Sequence, residues 1–178
     1  MDIKNAKEIM TVADIGRSLD RLACQIVEDV VDHRSLALIG IQRRGVDLAG
    51  RLGRLLSSRI GFAVPCGELD INLYRDDWTT TTSTPNINAT HIDFSVDEKT
   101  LILVDDVLFT GRTVRCALEA LLDFGRPRAV KLLVLIDRGH RELPIQADFI
   151  GKAVPTARSE QINVFLSERD GRDTVVLS

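Results

Sequence analysis

Three short, almost unbroken apolar runs constrain this chain most: "LALIGI" (36–41), "TLILV" (100–104) and "AVKLLVLI" (129–136). A strand with one wet face alternates polar and apolar residues. Continuous runs instead predict strands covered on both faces, the setting of a parallel sheet. Segments of helical spacing lie between them. In 11–30, Val12, Ile15, Leu19, Leu22, Ile26 and Val30 share one face, and Thr11 with Asp14 offers a capping-box start. In 46–58 the repeat runs through Val46, Leu48, Leu52, Leu55 and Leu56. "TVRCALEALLDF" (113–124) reads as a third helix, stopped by Gly125 and Pro127. Residues 62–74 read as extended, with Pro65 at an edge or bulge, and 137–157 as irregular. Strands at 162–166 and 174–178 close the chain. The alternation predicts an α/β fold, a single domain over 1–178 with a mostly parallel central sheet flanked by helices. A length of 178 residues with 44% hydrophobic content suffices for one such core.

Charge and cysteine use narrow the classes. A net charge of −3 argues against a chain whose main task is wrapping nucleic acid, although a local basic face stays open. Cys24, Cys66 and Cys116 are odd in number and form no C-x-x-C pair, so neither a disulfide framework nor a zinc site is implied. "MDIKNAKEIM" carries charges where a signal peptide is apolar, and no run approaches the ~18 apolar residues of a membrane span. These features predict a soluble, cytoplasmic protein with no membrane partner.

Parallel sheets bind ligands beyond the carboxyl ends of their strands. Two polar segments lie there: "QRRG" (42–45) and "DDVLFTGRT" (105–113). Asp105 and Asp106 could simply cap the next helix. They could serve a Walker-B-like site, but no G-x-x-x-x-G-K-[ST] accompanies them. A third reading makes the whole segment a cradle for a phosphorylated pentose. Thr110, Gly111, Arg112 and Thr113 open a helix whose free amides and dipole favour an anion. The two carboxylates, acceptor-only when ionised, could each receive a sugar hydroxyl.

"LILVDDVLFTGRT" resembles the phosphoribosyl diphosphate (PRPP) signature of the type I phosphoribosyltransferases: four apolar residues, two acids, then T-G-x-T. The resemblance implies that Asp105 and Asp106 bind the ribose hydroxyls, and that Thr110 to Thr113 bind the 5′-phosphate with Val107, Leu108 and Phe109 completing the loop. Members that act on 6-oxopurines carry an acid just before T-G. Phe109 stands there, which argues against purine salvage. "GIQRRG" resembles the family's pyrophosphate loop, with Arg43 and Arg44 neutralising the leaving group. Residues 75–92, "RDDWTTTTSTPNINATHI", fit its flap, with Arg75 as a contact to PRPP.

"GELDINLYRDD" and "LIDRGHRELPIQADFIGKAVPTARSE" narrow the resemblance to the family branch that joins uracil phosphoribosyltransferase activity to attenuation of pyrimidine operons. By that resemblance residues 138–160 form a hood over the base, with Arg138, Gly139, His140 and Ile162 at its edge. The implied reaction is uracil plus PRPP giving UMP and diphosphate. Mg2+ would be carried on PRPP and diphosphate, with no direct protein ligand. His140 lacks a second His or Cys at ligand spacing. The branch also implies a homodimer, or an assembly of dimers, that binds pyrimidine leader mRNA when UMP is present. Arg21, Arg141 and Lys152 are the cations left for such binding. Asp20, Cys24, Asp29 and Gln146 stand where RNA-regulating relatives carry Thr, His or Arg, which weakens the RNA role. The alternative is an RNA-binding regulator or UMP sensor with little transferase activity.

Overall fold

The computed structural model describes residues 6–72 and 90–178. Arg75 and most of the expected flap therefore lie outside the described residues. A parallel sheet of five strands forms the centre: β2 (Leu36–Ile41), β3 (Cys66–Leu69), β4 (Thr100–Leu108), β5 (Ala129–Asp137) and β6 (Phe149–Ala153), in the order β3-β2-β4-β5-β6. A smaller antiparallel sheet joins β1 (Lys7–Met10), β8 (Thr174–Leu177) and β7 (Ile162–Phe165).

Each apolar run is divided by its pleat between two cores. Leu36, Leu38, Ile102, Val104, Leu133 and Leu135 pack towards the first core, with the buried stripes of α1 (Val12–Asp29) and α2 (Arg44–Ile60). Ala37, Ile39, Leu101, Leu103 and Val134 face the second, built on α3 (Arg112–Leu122). Every residue of β2 is buried, as its unbroken apolar run requires. The capping box of α1 forms as its sequence predicts. The Asp14 amide donates to Thr11 Oγ1 at 3.3 Å, and the Thr11 amide donates to the Asp14 carboxylate at 2.9 Å.

Three elements differ from the sequence expectation. β4 does not stop at Val104 but pairs with β5 through Leu108, so both aspartates lie inside a strand. The "irregular" stretch after residue 137 contains β6, an edge strand with one buried residue, Phe149. β1, which no sequence pattern marks, is drawn into a ladder with β8.

The topology brings the polar segments together. β2 and β4 are parallel neighbours with Gly40 opposite Val104, so the 42–45 turn stands beside Asp105. Gly45 seals that contact. A Cβ there would lie 2.3 Å from the Val104 carbonyl oxygen and 3.3 Å from Asp105 Cα.

Candidate active site

The carboxylates of Asp105 and Asp106 are anchored by their own backbone. Asp105 Oδ1 accepts from the Asp106 amide at 2.9 Å, and Asp106 Oδ1 accepts from the Val107 amide at 2.8 Å. Burial pushes Asp105 well above the ordinary carboxylate range, and the charge of Asp106 raises it further. Asp106 is also raised by burial, although Arg44 draws it back. Two acids held this close, one buried and one half-buried, gain from further donors and cations.

Opposite them, the N-cap of α3 is Gly111, at φ 91° in the left-handed region, and the Arg112 amide donates to Thr110 Oγ1 at 3.4 Å. Thr113 is exposed, and Arg112 is paired with Glu142 at 2.9 Å. The first-turn amides and the two threonines thus present an anion site at the end of the strand that carries the acids.

At the end of β2, the Gln42–Arg43 peptide is cis. Arg43 is exposed, whereas Arg44 is turned inward to Asp170 at 3.1 Å. Beyond β5, Arg138 is buried and lies 4.1 Å above the Phe109 ring, with its guanidinium donating to Thr156 Oγ1 and to the Ala157 carbonyl oxygen. The His140 ring meets the same Phe109 edge-on and bonds to the Thr156 carbonyl oxygen at 2.6 Å. Gly139 follows at φ 77° and His140 at φ 60°. Ile162 opens β7, half-buried against the first core.

Thus strand ends and one helix start gather acids, an anion cradle, two arginines and an aromatic wall. A family model described as "Phosphoribosyl transferase domain" matches residues 5–161. A protein named bifunctional protein PyrR from Syntrophobacter fumaroxidans is 51% identical over 97% of this chain and 92% of its own. The Thermus thermophilus protein of that name is 52% identical over 96% and 94%. This chain belongs to the phosphoribosyltransferase family, in its PyrR branch. Solved phosphoribosyltransferases share the fold. A hypoxanthine enzyme of Trypanosoma cruzi superposes with a TM-score of 0.72 at 22% identity, covering 97% of this chain and 96% of its own. A hypoxanthine-guanine enzyme of Bacillus anthracis gives 0.71 at 18%, covering 100% and 99%.

The donor set can be tested against the Mg2+ that phosphoribosyltransferases use with PRPP. No cluster of three or more His, Cys, Asp or Glu residues suited to a metal occurs among the described residues. A buried and a half-buried carboxylate still suit a hard divalent ion that arrives already bound to a diphosphate.

The cations expected to meet RNA are engaged within the chain. Arg21 donates to the carbonyl oxygens of Gly151 (2.5 Å) and Ile150 (3.3 Å), and Lys152 to that of Ile9 (2.9 Å). Arg141 is turned inward and pairs with Asp137 at 2.5 Å. The reason is local: five guanidinium donors sit among carbonyl oxygens at two strand ends. Asp20 and Asp29, which weaken the RNA role, are themselves paired, with Arg59 and Lys131. Among the described residues no helix is long and apolar enough to cross a membrane.

Sequence reasoning missed Asp170, Glu142 and Thr156. Each acts on a predicted site residue from a distant segment, and no local pattern announces it.

Proposed function

We propose that this phosphoribosyltransferase acts on uracil, converting uracil and PRPP into UMP and diphosphate. The observation that carries the reading is the Asp105–Asp106 pair, one buried and one half-buried, both raised by burial and set between the start of α3 and Arg43–Arg44. Such carboxylates gain most from a ligand that brings donors: the 2′- and 3′-hydroxyls of ribose. The first-turn amides of α3 with Thr110 and Thr113 hold the 5′-phosphate, which fixes the sugar at both ends. Asp105 and Asp106 would hold Mg2+-loaded PRPP through its ribose hydroxyls, and the ion would neutralise leaving-group charge.

The C1′–oxygen bond breaks with its electron pair leaving on diphosphate, and Arg43 and Arg44 take up that charge. The lone pair of uracil N1 forms the new bond to C1′, and the N1 proton is released to solvent. Phe109 supports the choice of base. It replaces the acid that a 6-oxopurine site uses, and its stack with buried Arg138 walls the space beside Gly139 and His140.

The PyrR branch also supports a regulatory role: a homodimer that binds pyrimidine leader mRNA in the presence of UMP. Arg21 and Lys152 remain exposed enough to offer cations to such an RNA. Filter binding of the leader RNA with and without UMP tests this arm; salt-sensitive, UMP-enhanced retention is expected, and indifference to the RNA leaves an enzyme alone.

The deciding experiment is uracil-dependent release of diphosphate from PRPP, with orotate and hypoxanthine as competing bases. Replacing Asp105 and Asp106 together by Asn should abolish it. Turnover that survives the double change would refute the site, and preference for hypoxanthine would refute the base.

A further inference from the structure

Arg141 links four parts of the molecule. Its Nε donates to the Ile145 carbonyl oxygen at 3.0 Å. One Nη donates to the carbonyl oxygens of Phe109 at 3.0 Å, Gly139 at 3.1 Å and Leu108 at 3.5 Å. The other Nη binds Asp137, whose second oxygen accepts the Gly139 amide at 2.9 Å. These acceptors belong to the end of β4, the end of β5, the 139–140 turn and the following hood. A planar guanidinium can serve so many directions at once; an ammonium acts as a point charge.

The turn it holds needs holding. Gly139 and His140 both have positive φ, and a residue with a Cβ rarely adopts that conformation unless its surroundings impose it. The same segment is hung on the phosphate loop, since the amides of Glu142 and Leu143 donate to the Thr110 carbonyl oxygen at 2.9 and 3.3 Å. The Arg138 amide reaches back to the Leu108 carbonyl oxygen at 3.1 Å.

We propose that Arg141 is a positioning residue for the nucleobase. It fastens the 138–140 turn to Leu108 and Phe109, and so fixes the base edge relative to the ribose carboxylates a few residues earlier on β4. The proposal rests on the reading above that the base meets this turn. It also assigns to the hood's interior a cation that sequence alone places on an RNA-facing surface.

The test is steady-state kinetics with uracil and with PRPP for the full chain and three variants: Arg141→Gln, Arg141→Lys and Asp137→Asn. Thermal unfolding of each checks that it folds. The Gln and Lys variants should raise the uracil KM about tenfold while the PRPP KM stays within about twofold, because the bonds lost fasten the base turn to the end of β4 and none reaches the first-turn amides of α3. Asp137→Asn keeps size and keeps Arg141, so it carries the test if the Gln variant fails to fold; its uracil KM should rise about threefold. A folded Arg141→Gln protein with the wild-type uracil KM overturns the proposal. So does rescue by Lys, which a simple phosphate contact would allow. A wild-type protein that releases no diphosphate with uracil fails at an earlier step, and would remove the proposed function and this inference with it.

Discussion

Arg44 donates three hydrogen bonds, of 3.1 to 3.4 Å, to the carboxylate of Asp170, 126 residues further along the chain. Asp170 is in turn fixed by the Leu166 amide at 2.9 Å. Burial pushes Asp170 up, but the Leu166 amide and the Arg44 guanidinium outweigh it and leave the carboxyl below its ordinary range. The C-terminal segment thus sets the direction of one arginine of the leaving-group site. Asp170→Ala should raise the PRPP KM about threefold to tenfold, the worth of one half-exposed ion pair, and leave the uracil KM alone. An unchanged PRPP KM would show that the pair serves only the fold.

The ligand-free acid pair should cost stability at neutral pH. An Asp whose folded pKa is raised resists ionisation that the unfolded chain accepts freely. Stability contributed by such a group is therefore present at low pH and lost as pH rises from about 4 through the raised folded values. The Asp105→Asn, Asp106→Asn double variant should unfold a few degrees higher at pH 7, a gain of about 1 kcal/mol. Its advantage should shrink as the pH approaches 4. Calorimetry of both proteins across that range decides the matter, and a gap that grows in acid would contradict it.

The Phe109–Arg138 stack should govern discrimination between bases. Phe109→Ala unstacks a buried guanidinium, an interaction of about 2 kcal/mol, and opens room beside the base turn. We expect kcat/KM for uracil to fall about tenfold or more and hypoxanthine to become a better competitor. Unaltered base preference would make Phe109 packing alone.

Gly45→Ala should damage the protein through its backbone. The added methyl would stand 2.3 Å from the Val104 carbonyl oxygen, a main-chain atom that cannot swing aside. The expected cost is about 2 kcal/mol or more, with loss of turnover, because α2 must retreat from β4. A denaturation midpoint like that of the wild type would mean the helix start adjusts freely.

Acid should loosen the join between α2 and the C-terminal turn. Arg51 binds Asp173 at 2.6 Å, and with the Ser167 amide it outweighs burial and lowers Asp173 to about 2. The unfolded Asp titrates near 3.8, so this stability is present above about 4 and lost as pH falls towards 2, about 2 kcal/mol at most. Asp173→Asn should flatten the stability curve across that interval, as read from urea midpoints at each pH.

Much of this architecture was legible in the chain, and the exceptions have physical causes. β2 is legible to its ends because its apolar run is unbroken and buried on both faces. β4 is legible only to Val104 because carboxylates are poor strand formers, yet its backbone goes on pairing beneath them. β1 and β6 are edge strands, and their partners rather than their residues make them strands. The acid pair and the T-G-x-T turn are legible because adjacent residues carry them. Arg141 looked like a surface cation because no sequence pattern reveals that Leu108, Phe109, Asp137 and Ile145 will surround it.

The pairing of β2 with β4 acts as a ruler. Leu38 lies opposite Ile102 and Gly40 opposite Val104, so the same ladder that closes the core fixes the distance between arginines and carboxylates. A slip of one residue would move one set against the other by about 3.3 Å, several times the ~0.5 Å that a reacting centre tolerates. Evolution is then free to redraw the hood, and with it the base and any macromolecular partner, while the calibrated gap at the sheet's edge stays as it is.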